Sequence, residues 1–341
     1  MKKYFVFILS VFLFVSVPLF AQPHYYFQGL GTINEPYEIW TLDDLMVLGD
    51  SIDAFLLPHK STWQRGKHFR LMSNIDTVKQ LICTYYFEGH FYGNGKTITG
   101  VNALGFFSGL YRGGIIDSLT VDCYTYDIAG IVGYVAPAHY MNLHPASVVS
   151  NCTSNVTINA IHNIAGGIAF DNSGIVINCV NNGSIMGVDR IGGIVGDNYG
   201  TVNNCLNTGR ITATNWTPNS IFSGVGGIVG TVANGCTFIS NNVNTGSIKG
   251  VGHVGGIAGM IRGNSGMMPP VMVVNNSNYG FVKGANRVGG LIGWVYAAFV
   301  NITNNSNFGV VVGEEDTGCI VGKNNGGNIS NNHYDKQMCG E

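Results

Sequence analysis

Three basic side chains recur at one place in a repeat. Arg190, His253 and Arg287 each stand two residues before a glycine pair, and Asp127 and Gly224 hold the same place in other copies. A basic stripe of this kind predicts a lateral surface for acidic glycans or a protein partner. Trp216, Trp294 and Tyr140 add aromatic faces that could stack on sugar rings. The insertions at 137–145, 214–223 and 262–270 add irregular loops, around Trp216 and Met267 among others, where a solenoid often carries recognition. Carboxylates give a weaker pattern. Asp171, Asp189 and Asp197 are read as falling at different repeat positions, and Glu314, Glu315 and Asp316 as one solvated acidic turn. Glycosidic cleavage needs paired carboxylates, and a calcium site needs several oxygen ligands together. His139 and His144 flank an insertion without Cys or carboxylate partners at ligand spacing, so no metal, cofactor or catalytic residue is expected.

These residues are carried by a chain of 341 residues with formal net charge −2 and 11% charged residues. That balance offers no basic surplus for a phosphate backbone, so nucleic acid is not an expected partner. Gly192 to Gly209 reads GGIVGDNYGTVNNCLNTG, and variants of it recur from Ile128 onward. Their spacing, roughly 26 to 37 residues, is that of a solenoid or array. Aligned repeats expose columns. An Asn column runs Asn151, Asn178, Asn204, Asn241, Asn275, Asn304 and Asn331. Cys152, Cys179 and Cys205 follow the first three of these, and are read as packed thiols rather than disulfides. A second Asn column is Asn181, Asn207, Asn244, Asn278 and Asn307, and the Gly two residues later is expected to take positive φ.

Three apolar columns complete the repeat. They are Val149, Val176, Val202, Ile239, Val273, Ile302 and Ile329; Ile158, Ile185, Ile211, Ile248, Val282, Val311 and Met338; and Ile131, Ile168, Ile194, Ile228, Ile257, Leu291 and Ile320. β-Branched columns divided by Gly and Asn predict three short strands per coil. The fold expected is therefore all-β: a right-handed parallel β-helix of three-stranded coils, with Asn columns as structural ladders. Residues 22–84 do not follow the repeat and are expected to form a small α+β cap, with a helix starting at the N-cap Thr41. Residues 85–341 form the β-helix. Residues 1–21 read as a secretory signal peptide: a positive start, an apolar run and a short polar exit. No later segment is apolar enough to span a membrane, so the mature chain is expected outside the cell or at its surface, the periplasm being the alternative.

The N-terminal motifs carry a family resemblance. GLGTINEPYEI, from Gly29, and FEGHFYGNGKTITGV, from Phe87, are similar to the openings of exported Bacteroidetes proteins whose repeats carry the GLUG motif. The steps GGIVG, GGIAG and GGLIG match that motif, and the likeness covers nearly all of the mature chain. It implies a right-handed parallel β-helix and an adhesin-like surface protein. GLUG repeats also accompany streptococcal immunoglobulin A metallopeptidases, but this chain has no HExxH, so that activity does not carry over. Two readings follow. One is a non-enzymatic surface protein binding glycans or a cell-surface protein. The other is a carbohydrate-active lyase or hydrolase on the same scaffold. A purely structural rod is a third.

Overall fold

The computed structural model describes residues 26–53, 63–76, 83–100, 106–126, 129–138, 143–160, 164–214, 223–233, 237–262, 269–296 and 298–339. The chain winds into a parallel β-helix. One coil shows the plan: Ala169–Asn172, Ile175–Ile177, Val180–Asn181, Ile185–Gly187 and Arg190–Gly192, before Val195–Asn198 restarts the cycle. Each strand pairs in parallel with its counterpart one coil on. Taken in coil order, the first to fifth sheets so formed hold nine, eleven, nine, seven and six strands among the described residues. A coil thus has five strands where the columns suggested three. The Asn and Gly-Gly steps bend the backbone within a face, so runs that look continuous in sequence divide in two.

The apolar columns meet inside. Val149, Val176, Val202, Ile239, Val273 and Ile302 are register partners in the second sheet and fully buried. Ile158, Ile185, Ile211, Ile248, Val282 and Val311 are register partners in the fourth and are likewise buried. The third column sits at the bend between fifth and first sheets, and all its members from Ile131 to Leu291 are inaccessible to solvent. Two expected members depart at the C-terminal end. Ile329 is exposed, and Met338 lies in the 3-10 turn Lys336–Cys339 rather than a strand. That turn is tied to the last coil by a Cys319–Cys339 disulfide the repeat pattern did not suggest. Cys152, Cys179 and Cys205 are free and buried, as expected for packed thiols.

The Asn columns are hydrogen-bonded ladders of two kinds. Asn151, Asn178, Asn204, Asn241, Asn275, Asn304 and Asn331 all adopt left-handed φ, between 52° and 58°. Asn is the ordinary residue to do so, because its short amide bonds locally. Their side chains chain outward-facing amides from Asn204 to Asn178 (2.8 Å) and from Asn178 to Asn151 (3.1 Å). The second column is interior. Asn181, Asn207, Asn244 and Asn278 each donate to the next coil's Asn at 2.8 Å, and each also donates to the Gly carbonyl two residues on. Their glycines correct the expectation of positive φ: none lies in the left-handed range. Gly209 is required for space instead, since a Cβ there would overlap the Gly183 carbonyl oxygen of the preceding coil.

The N-terminal region does more than cover an end. Its strands Tyr37–Ile39 and His68–Leu71 start the eleven-stranded sheet, in register with His90–Tyr92. Between them the helix Leu42–Asp53 begins at Thr41. The Thr41 hydroxyl accepts from the Asp44 amide (3.2 Å), and Asp44 accepts from the Thr41 amide (2.9 Å), a reciprocal cap. Leu45, Leu48 and Ile52 from the helix join a buried aromatic cluster with Phe69, Phe87 and Phe91. Among the described residues no helix is long and apolar enough to cross a membrane.

Candidate functional site

The basic stripe is present as a column but not as an open surface. Arg190 forms an ion pair with Asp197, whose side chain is 4% exposed. His253 is fully buried: its Nδ1–H donates to the Ser223 carbonyl (2.8 Å), leaving Nε2 to accept from Arg287 (2.7 Å). That proton placement follows from the partners, since Arg287 can only donate. Burial holds His253 near a pKa of about 4, so it is neutral at pH 7. Arg287 also lies 3.9 Å over the Trp294 ring, a cation–π contact, and Trp294 itself is buried. The Asp316 carboxylate takes a 3.0 Å contact from Lys323 and a longer one of 3.8 Å from Arg287. Three of the five ligand-binding candidates are thus packed together as Arg287, His253 and Trp294, and Arg190 is bound to Asp197. Trp216, like Asp127, His139, Tyr140 and Met267, lies outside the described residues, as does the segment read as a signal peptide.

The pairing of Arg190 exposes a second correction. Asp171 and Asp197 do not occupy different repeat positions. They are register partners on adjacent coils of the first sheet. Neighbouring strands lie about 4.8 Å apart, so the two carboxyl groups share one desolvated patch. Burial, then the charge of Asp197, raises Asp171 to about 7, although Arg190 opposes the shift. Burial likewise raises Asp197 to about 6, against Arg190 and Arg262. Asp189 is raised too, again by burial. At neutral pH Asp171 therefore holds its proton part of the time, next to a fixed guanidinium.

Asp171 belongs to a longer column on the outward side of the first sheet. In register it runs Tyr86, Gly109, Tyr134, Asp171, Asp197, Thr231, Met260, Trp294 and Lys323. Gly109 leaves a gap that Tyr111 fills, because a Cβ at 109 would meet the Tyr111 ring at 2.7 Å. Three tyrosine rings consequently follow one another along the coil axis, tilted against each other: Tyr86 to Tyr111 with ring centroids 3.9 Å apart, and Tyr111 to Tyr134 at 5.2 Å. Burial and Tyr86 hold the Tyr111 phenol above its usual pKa, so it stays a neutral donor. An open groove of about 560 Å³ borders this stack, lined by Tyr111, Arg112, Tyr134, Ala136, Leu143 and His144. The face thus offers aromatic rings, phenol hydroxyls and one arginine beside a partly protonated carboxyl group. Sequence reasoning misses the tyrosines because they lie in the first coils, before the repeat settles into its consensus.

No family model matches the chain, and no curated protein matches it. A solved structure is similar in fold: the "putative immunoglobulin A1 protease" from Bacteroides ovatus, with a TM-score of 0.56 and 20% identity over 86% of each chain. At that identity the likeness carries the β-helical architecture and nothing of the chemistry.

Proposed function

We propose that this chain is an exported, non-enzymatic β-helical surface protein of the GLUG-repeat kind, and that it binds glycans along the tyrosine face. The observation that supports the reading is the stack of Tyr86, Tyr111 and Tyr134 on successive coils beside an open groove. Apolar ring faces with a few convergent polar groups are what a sugar's mixed surface requires. The neighbour's name carries a protease activity, but the present sequence has no HExxH, and binding is the reading we adopt. A glycan array identifies the ligand; Tyr111→Ala and Tyr134→Ala then test the face. Each should weaken binding by about tenfold or more, near 1.4 kcal/mol, in a chain that circular dichroism shows still folded. Binding unchanged in both variants would place recognition elsewhere.

A second reading, acid–base cleavage of the bound glycan, is favoured by the Asp171–Asp197 register. Release of shorter oligosaccharides by the parent chain but not by Asp171→Asn would establish it over simple binding.

A further inference from the structure

The outer face of the eleven-stranded sheet, away from the groove, brings two imidazoles and a phenol to one point. His68 and His90 are register partners on adjacent strands, with ring centroids 4.4 Å apart. Tyr92 stands two residues after His90, on the same face. Its hydroxyl lies 3.0 Å from Nδ1 of His68 and 3.5 Å from Nδ1 of His90. The alternating residues Phe69 and Phe91 are fully buried on the opposite side, which fixes both strands against the core. The donors therefore project from a rigid support rather than a loop.

We propose that His68, His90 and Tyr92 form a binding site for a divalent transition-metal ion of the zinc–copper class. A tetrahedral ion with bonds of about 2.0–2.1 Å needs its donors about 3.3–3.4 Å apart. The two donor–donor separations, 3.0 and 3.5 Å, bracket that value. Imidazole nitrogen suits zinc and copper, and a hard ion such as calcium would find too few oxygens here. An ion bound here would displace the Tyr92 phenol proton to solvent. The sequence alone suggests no metal here, because two histidines 22 residues apart acquire a common site only through the strand register. Among the described residues no three His, Cys, Asp or Glu side chains converge as a metal site, so the phenol is what completes this one.

The test uses the untagged, chelator-stripped chain. Calorimetric titration with Zn²⁺ should show one saturable site. His68→Ala and His90→Ala should each weaken it by more than about tenfold, with unchanged circular-dichroism melts. Cu²⁺ should give a visible phenolate-to-copper charge-transfer band that Tyr92→Phe abolishes. Absence of saturable uptake of either ion, or uptake that survives the double histidine substitution, would overturn the site. A copper complex lacking the charge-transfer band would remove Tyr92 from it and overturn the three-donor assignment.

Discussion

Asp171 shows how a single side chain couples this fold to pH. Its folded pKa of about 7, and that of Asp197 at about 6, lie above the ordinary carboxylate value of 3.8. At these two sites the folded chain therefore holds more protons than the unfolded chain between about pH 4 and pH 7. Their contribution to stability falls as pH rises through that window and levels off above it, while His253, held near a pKa of about 4 against an ordinary 6.5, contributes in the opposite sense. Asp171→Asn removes the charge that burial penalises while leaving the Arg190–Asp197 pair intact. The variant should be more stable than the parent at pH 8, by roughly 1–3 kcal/mol, and equal to it near pH 4. Urea midpoints across that range decide the matter; a parent and variant with parallel profiles would mean that Asp171 is well solvated. The pairing itself is legible in the sequence. Asp171 and Asp197 each stand seven residues before the Asn of their coil, Asn178 and Asn204. The columns that declare themselves are apolar and amide columns, and a two-member acidic column is too short to stand out among seven repeats. The tyrosine stack is not legible in that way, since Tyr111 enters the column only through the gap at Gly109.

At the scale of the element, the interior Asn ladder is the device that sets the coil. Each member satisfies a neighbour in the next coil and its own turn carbonyl, so a polar column can run through the interior without orphaned groups. A third ladder develops where the cysteine column ends. Asn242, Asn276 and Asn305 each donate at 2.9 Å to the next coil's Asn, and also to a strand carbonyl. Thiols and amides thus share one column, because both are compact and both can donate to the carbonyls that ring it. Asn244→Ala should be costly. It removes the donor to Asn278 and Gly246 and leaves the Asn207 amide with the Gly209 carbonyl but without its acceptor in the next coil, all with no solvent access. A loss of about 2–4 kcal/mol is expected in denaturant melts. The same substitution at Asn204, on the exposed ladder, should cost well under half as much, because water replaces the lost partners. Equal losses at both positions would show that left-handed backbone preference at Asn204 is worth as much as the buried hydrogen bonds of Asn244. Repeat spacing makes these ladders readable from sequence, since each column falls on the same offset in every coil. The split of each coil into five strands is not readable, because bends at Gly-Gly and Asn steps leave the apolar periodicity unchanged.

For the whole molecule the governing fact is one-dimensional stacking. Each strand pairs only with its counterparts in the neighbouring coils, so stability is approximately a sum of coil and interface terms and depends on where a defect falls. Ile228 sits in a central coil, fully buried, between Ile194 and Ile257 of the same column. Ile228→Asp buries a carboxylate with no cation in that column, and the penalty is on the order of 4 kcal/mol or more. Both flanking interfaces suffer, so the variant should unfold at lower denaturant and in two separable steps, one for each half of the rod. Ile320 occupies the equivalent place in the last coil, where it retains 9% exposure and has no coil beyond it among the described residues. Ile320→Asp can turn its carboxylate toward water and disturbs one interface only. Its main transition should remain within about 1 kcal/mol of the parent, with early loosening confined to the coil held by Cys319–Cys339. Hydrogen exchange resolved by coil distinguishes the two outcomes. If Ile228→Asp and Ile320→Asp lower stability equally, the rod unfolds as one cooperative block, and nearest-neighbour stacking does not describe it.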